Sequence, residues 1–351
     1  MGGVAVLQAG AWGTTLATVL ARDGGRPVTL WTRDSAQARE ATSTRENRRY
    51  LPGVKIPAAV EITADLERAL AADDLIVALP TSGIRAFRDR IAPLLRPGHH
   101  LLSATKGLDP QDGRRMSELW AEVIDPARIA VLSGPNISRE IAAGLPAQSV
   151  IASYDLSTAR RFQSIVRTPL LRAYTNDDVI GVELCGALKN VVALGAGAID
   201  GIGYGGNAKA GFVTRGIAEI ARFAFANGAN PLTITGLAGF GDLIATCWSK
   251  DSRNRLVGEL IATGLGLAEI RERLGGRVAE GIPTTEAVHL AAERLGVEMP
   301  ITAETHAVLA RGKPVRAAIR DLMEREPREE LSGPLSEAGR LLRARGDASR
   351  G

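Results

Sequence analysis

Cysteine is scarce in this 351-residue chain: only Cys185 and Cys247 are present. Two thiols cannot build a disulfide framework. The four histidines (His99, His100, His289 and His306) are scattered, so no metal-ligand cluster forms and no metal is expected. Aromatic residues make up 4% of the chain, and its basic residues are dispersed rather than packed into a tract, which argues against nucleic acid as a partner. No apolar run approaches the length needed to span a bilayer, so no membrane insertion is expected. The opening MGGVAVLQAG lacks the basic segment of a signal peptide. A cytoplasmic globular protein is the plain reading. Lysine is scarce too: only Lys55, Lys106, Lys189, Lys209, Lys250 and Lys313 among 43 basic residues, the others being arginine. In a chain that uses arginine wherever a generic positive charge serves, lysines are enriched where a compact, titratable ammonium matters. Lys55 and Lys313 read as ordinary surface residues.

What is present suits two domains. The length allows two cores, and 45% hydrophobic with 23% charged residues is ordinary globular usage. A net charge of +4 leans weakly toward a small anionic ligand. Short, nearly all-apolar runs at Val4–Leu7, Val28–Trp31, Leu75–Leu79, Leu101–Ala104, Ile129–Leu132 and Ser149–Ala152 read as strands buried on both faces. Helical patterns between them, beginning with Thr14–Arg22, predict a parallel sheet in a doubly wound, Rossmann-like α/β domain. Beyond Asn176 the segments 179–198, 210–226, 252–262, 285–295 and 302–310 all read as helices, which predicts an all-α C-terminal domain. The expected division is residues 1–178 for a dinucleotide, 179–322 for substrate and dimerisation, and 323–351 as a flexible charged tail.

The first strand runs into Gln8-Ala9-Gly10-Ala11-Trp12-Gly13 and then a helix. A helix N-terminus at that point offers free N–H groups to a pyrophosphate. Gly10 lets the backbone approach the phosphates, and Gly13 allows close packing of helix on strand. Gln8 stands where the dinucleotide fingerprint has its first glycine, and a side chain there is expected to strain the turn or crowd the pyrophosphate. The second strand ends Trp31-Thr32-Arg33, and an arginine there accepts a 2′-phosphate, so NADPH is favoured over NADH. Pro80-Thr81-Ser82, Thr105-Lys106-Gly107 and Ser133-Gly134-Pro135-Asn136 follow other strands. Each alone is an ordinary turn; together they form a polar rim at the carboxyl edge of the sheet.

Lys189 lies in the otherwise apolar run Glu183-Leu-Cys-Gly-Ala-Leu-Lys189-Asn190, where burial lowers an ammonium pKa toward a range useful for proton transfer. Glu183 is not at helical i,i+4 spacing from it, and Asp242 is a possible electrostatic partner. Arg253 and Asn254 can grip a phosphate through a guanidinium fork and an amide donor.

These residues together resemble the NAD(P)-dependent glycerol-3-phosphate dehydrogenase family, in its bacterial soluble branch. The resemblance is carried by AGAWGTTLA near the start, SATKGL at 103–108, LSGPN at 132–136 and LKNVVALGAGAIDGIGYGGNAKA at 188–210. It continues through TRGIAEI at 214–220, GLAGFGDLIATCWS at 236–249, SRNR at 252–255 and AEGIPTT at 279–285. Two places depart from the family's pattern: Gln8, and GPNISREIA where GPSFAxEVA is usual.

The resemblance implies that Lys189 is the general acid/base, with Lys106, Asp242 and Thr246 as its catalytic neighbours. It puts Lys106, Gly134, Asn136, Lys189, Asn190, Asp242, Ser252, Arg253 and Asn254 on substrate, the last two on its phosphate. Gly10, Ala11, Trp12, Gly13, Arg33, Lys106, Ser138, Arg253, Val278 and Glu280 fall on the cofactor. The implied reaction is NAD(P)H-dependent reduction of dihydroxyacetone phosphate to sn-glycerol 3-phosphate, feeding glycerophospholipid synthesis, in a homodimer. One rival reading is a weakened, binding-only homologue with Gln8 as the lesion. The other, a related hydroxyacid dehydrogenase, is disfavoured by the SRNR and DGIGYGGNAKA segments.

Overall fold

Apolar β-branched runs form the middle of the sheet. In a computed structural model, which describes residues 2–22, 26–275, 277–327 and 330, β1 (Val4–Leu7) is buried along its whole length. The other strands are β2 (Val28–Trp31), β3 (Glu46–Asn47), β4 (Leu51–Lys55), β5 (Val60–Thr63), β6 (Asp74–Val77), β7 (His100–Ser103), β8 (Ile129–Ser133), β9 (Ala147–Ala152) and β10 (Leu171–Asn176). The main sheet runs β5-β2-β1-β6-β7-β8-β9-β10, and β3 and β4 form a separate antiparallel pair. From β5 to β8 all neighbours are parallel, in the doubly wound order that reverses direction between β1 and β6. The C-terminal ends of these strands therefore open a crevice at the β1/β6 switch point.

The expectation of a parallel sheet needs one correction: β9 runs antiparallel to β8. The helix between them, Ser138–Ala142, has only five residues. At about 7.5 Å it is too short to carry the chain back along a strand of about 17 Å, so the chain turns and returns from the same end. Helices cover both faces of the sheet. On one face Trp31 stacks on Phe87 at a centroid spacing of 5.2 Å, and Phe87 meets Trp120 edge to face at 6.5 Å.

From Val179 onward every regular element among the described residues is helical. The helix Val179–Ile202 is capped by Asp178, whose carboxylate accepts from Gly181 N, and it ends at Gly203 in the left-handed conformation. It has 24 residues, and an 18-residue window within it has a mean hydropathy of 1.6, so one apolar segment does reach bilayer-spanning length, against expectation. Of its apolar window 83% is buried inside the protein, because this is the core helix around which the others pack. The Arg253–Ala262 helix crosses it with backbones in contact. A Cβ on Gly197 would overlap the Arg255 carbonyl, and one on Gly258 would overlap the Leu194 carbonyl. The final described helix, Val315–Met323, ends where the tail was expected to start. Most of that tail (328–329 and 331–351) lies outside the described residues.

Candidate active site

The core helix brings Lys189 to the seam between sheet and helical part. Ahead of it Gly186 leaves room for Ser133 and Lys106, since a Cβ there would sit 2.6 Å from Ser133 Oγ and 3.8 Å from Lys106 Cγ. Opposite, the glycine-rich Leu237–Gly241 segment makes a wide helical turn, with Gly241 N donating to Gly236 O, and delivers Asp242 as the first residue of the next helix. Such wide turns recur at functional sites.

Asp242 is only 1% exposed and binds two lysines, one at each carboxylate oxygen. Lys189 Nζ donates to Oδ1 and Lys106 Nζ donates to Oδ2, the latter at 2.8 Å. Lys189 also donates to Thr246 Oγ1 at 2.9 Å, and that hydroxyl in turn donates a hydrogen bond to the Asp242 carbonyl at 2.7 Å. Lys106 donates further to Gly134 O at 2.7 Å. Burial lowers the Lys189 ammonium from the usual 10.5 to about 7; Asp242 opposes the fall and Lys106 adds to it. The result is a lysine that can give up and regain a proton near neutrality. Glu183 plays no part, being taken up by Ser117 N at 2.8 Å and Arg115 Nη1 at 3.0 Å.

Beside this cluster Asn254 Nδ2 donates to Asn190 Oδ1 at 2.8 Å, while Asn254 Oδ1 accepts from Gly281 N at 2.9 Å. Ser252 caps the Arg253–Ala262 helix by accepting from Arg255 N. Arg253 is exposed and has no hydrogen bond or ion pair among the described residues. Glu280 closes the seam by accepting from Thr81 N at 3.2 Å and Thr81 Oγ1 at 2.7 Å. Thr81 stood on the predicted rim but was not singled out, because nothing local marks a threonine that meets a residue 199 positions away. Val278, just before, is 37% exposed. Asn136 is turned toward β9, its Nδ2 donating to Ser149 Oγ at 2.8 Å and its Oδ1 buried without a partner among the described residues.

At the switch point Gly10 faces open space, whereas a Cβ on Gly13 would overlap the Gln8 carbonyl. Trp12 packs partly into the core with its buried Nε1 lacking a partner among the described residues, and Ala11 opens the helix Ala11–Arg22. Ser138 meets that helix through its carbonyl, which accepts from Thr15 Oγ1 at 3.1 Å. Gln8 adopts φ 93°, a left-handed conformation costing a non-glycine residue about 1–2 kcal/mol. Arg33 is exposed after β2 and has no hydrogen bond or ion pair among the described residues, while Asp34 Oδ1 caps the next helix by accepting from Ala36 N and Gln37 N. An open glycine, an unpaired indole donor and a free arginine beyond the strand ends fit a nicotinamide dinucleotide.

A dinucleotide-binding sheet joined to a helical part that presents a buried lysine defines an NAD(P)-dependent oxidoreductase. Residues 3–159 match the model of the NAD-dependent glycerol-3-phosphate dehydrogenase N-terminus, and residues 178–320 that of its C-terminus. A glycerol-3-phosphate dehydrogenase [NAD(P)+] of Prosthecochloris aestuarii is 44% identical over 93% of this chain and 99% of its own length. One of Parafrankia sp. is 47% identical over 93% of this chain and 98% of its own. The crystal structure of glycerol-3-phosphate dehydrogenase from Coxiella burnetii is 35% identical with a TM-score of 0.88, covering 92% of this chain and 99% of that one. The chain belongs to the NAD-dependent glycerol-3-phosphate dehydrogenase family. Nothing in these likenesses supports the reading of a weakened, binding-only homologue.

Proposed function

We propose that this chain reduces dihydroxyacetone phosphate to sn-glycerol 3-phosphate, reversibly, with NADPH favoured over NADH. In this reading residues 1–178 hold the cofactor and residues 179–322 the substrate. The observation that carries it is Asp242 holding Lys189 and Lys106 at once, at the seam between the two parts. When bound, a reduced nicotinamide supplies the hydride. Lys189 donates its ammonium proton to the ketone oxygen as that oxygen gains charge, and takes a proton back in the reverse direction. Thr246 and Asp242 hold the ammonium on its line of approach, and Lys106 adds positive potential at the same oxygen.

The substrate phosphate is assigned to the N-terminus of the Arg253–Ala262 helix, where the helix dipole and the unpaired Arg253 guanidinium both favour an anion. Asn254, with one amide hydrogen not engaged by Asn190, adds a donor. Clamping the phosphate there uses remote binding energy to orient the carbonyl. The preference for NADPH rests on Arg33 being free while Asp34 is engaged as a helix cap. A cytoplasmic homodimer completes the reading. The two buried, unbonded cysteines suit a reducing compartment, and Phe225 and Leu232, 43% and 71% exposed, suit a covered apolar face.

The test follows absorbance of NADPH and NADH on adding dihydroxyacetone phosphate. Oxidation of NADPH is expected to be the faster, and oxidation of neither would overturn the proposal. Lys189→Ala should lower turnover by about 10²–10⁴ while NADPH still binds.

A further inference from the structure

Gln8 holds a left-handed backbone at the cofactor turn, which a glycine adopts freely and a glutamine does not. Something must hold it there, and the structure shows two side-chain amides converging on the next carbonyl. Gln37 Nε2 and Asn47 Nδ2 each donate to Ala9 O at 2.8 Å. Asn47 Nδ2 donates as well to Thr14 Oγ1 at 2.8 Å, in the first turn of the helix that follows. Gln37 Oε1 accepts from Thr32 Oγ1 at 2.7 Å, at the end of β2. Gln37 and Asn47 are joined to each other at 3.3 Å, and Asn47 Oδ1 accepts from Tyr50 N at 3.3 Å. All four side chains are buried and uncharged. The network ties the turn from behind to β2, to β3 and to the helices on either side, leaving the Gly10 face open.

We infer that Gln37 and Asn47 are positioning residues for the dinucleotide turn, holding it in the shape that Gln8 does not favour by itself. The inference rests on the proposed cofactor site and deepens it. Its signature is coupling between residues: the two amides matter greatly while position 8 is glutamine and little once it is glycine.

The experiment titrates NADPH into the full chain, its Asn47→Ala variant, its Gln8→Gly variant and the double variant, read by equilibrium fluorescence. If the competent turn falls to about a tenth of the population, the apparent Kd of Asn47→Ala rises about tenfold. The KM for dihydroxyacetone phosphate should not move, and Gln8→Gly should restore most of the loss. Gln37→Ala, which keeps one of the two amides, should show the same coupling more weakly, and it serves if Asn47→Ala does not fold. Hydrogen exchange at residues 9–13 of the cofactor-free protein should quicken in Asn47→Ala and slow again in the double variant. Equal loss of affinity in both backgrounds, or no loss, would overturn the clamp. A parent chain that binds neither dinucleotide would overturn the cofactor reading itself.

Discussion

Replacing Asp242 by asparagine keeps its size and removes the one carboxylate that two ammonium groups share. Lys189 and Asp242 are 6% and 1% exposed, so water cannot take the place of the lost charge. Removing one partner of a buried pair costs about 3–5 kcal/mol. Lys106 retains Gly134 O and some access to water, so the lower end, about 3 kcal/mol, is expected. The sharper consequence is in the pH profile. Burial already holds the Lys189 pKa at about 7, and Asp242 is what keeps it from falling further. Without Asp242 the Lys189 pKa should drop by roughly 1–3 units. Reduction requires the ammonium, so activity is present below the Lys189 pKa and is lost as pH rises through it. In Asp242→Asn that falling limb should therefore move to lower pH, and at neutral pH the reduction rate should collapse. Glycerol 3-phosphate oxidation needs neutral Lys189, so its rising limb should move the same way. The check is initial NADPH oxidation from acid to alkaline pH, beside thermal unfolding of both proteins. A limb that stays in place, or moves toward alkaline pH, would refute the assignment of Lys189 as the proton donor. The same depression has a stability sign: between about 7 and 10.5 the unfolded chain binds more protons, so Lys189 favours folding increasingly as pH rises through that window.

Arg253→Ala should chiefly raise the KM for dihydroxyacetone phosphate, by roughly 10–100-fold, the equivalent of one charge-assisted hydrogen bond, with a smaller effect on NADPH affinity; an effect confined to NADPH would reassign the residue. Arg33→Ala should weaken NADPH about tenfold or more and leave NADH nearly unchanged, and steady-state KM values for both cofactors measure this directly. Gly197→Ala would wedge the core helix away from the Arg253–Ala262 helix. Overpacking of this kind costs about 1–3 kcal/mol, so both a lower unfolding temperature and a higher substrate KM are expected. An unchanged unfolding temperature would mean that the two helices separate freely.

The interior strands were legible because burial on both faces leaves an apolar run, as in β1, whose four residues are all buried. The edge strands were not. β10 alternates buried and exposed positions at its start, and β5 is fully buried only at Val60, so neither presents a run of that kind. The helix Gly281–Leu295 begins four residues before its expected start at Thr285, with Glu280 at its cap position engaged by Thr81. That contact comes from 199 residues away in the sequence and has no local trace.

Local pattern by itself determined the doubly wound class, the helical second half, the turn after β1 and the suspicion attached to a few lysines. All of these depend on residues within a turn or a strand of one another. The pairing of the site was decided only by tertiary structure. Lys189 and Lys106 meet Asp242 across sequence separations of 53 and 136 residues, and Gly186 on the core helix leaves the space that the Lys106 and Ser133 side chains occupy beside it. The same holds for Gln8. Its identity marked the turn as irregular, but only the buried amides of Gln37 and Asn47, brought in from another helix and another strand, explain how the turn keeps its shape.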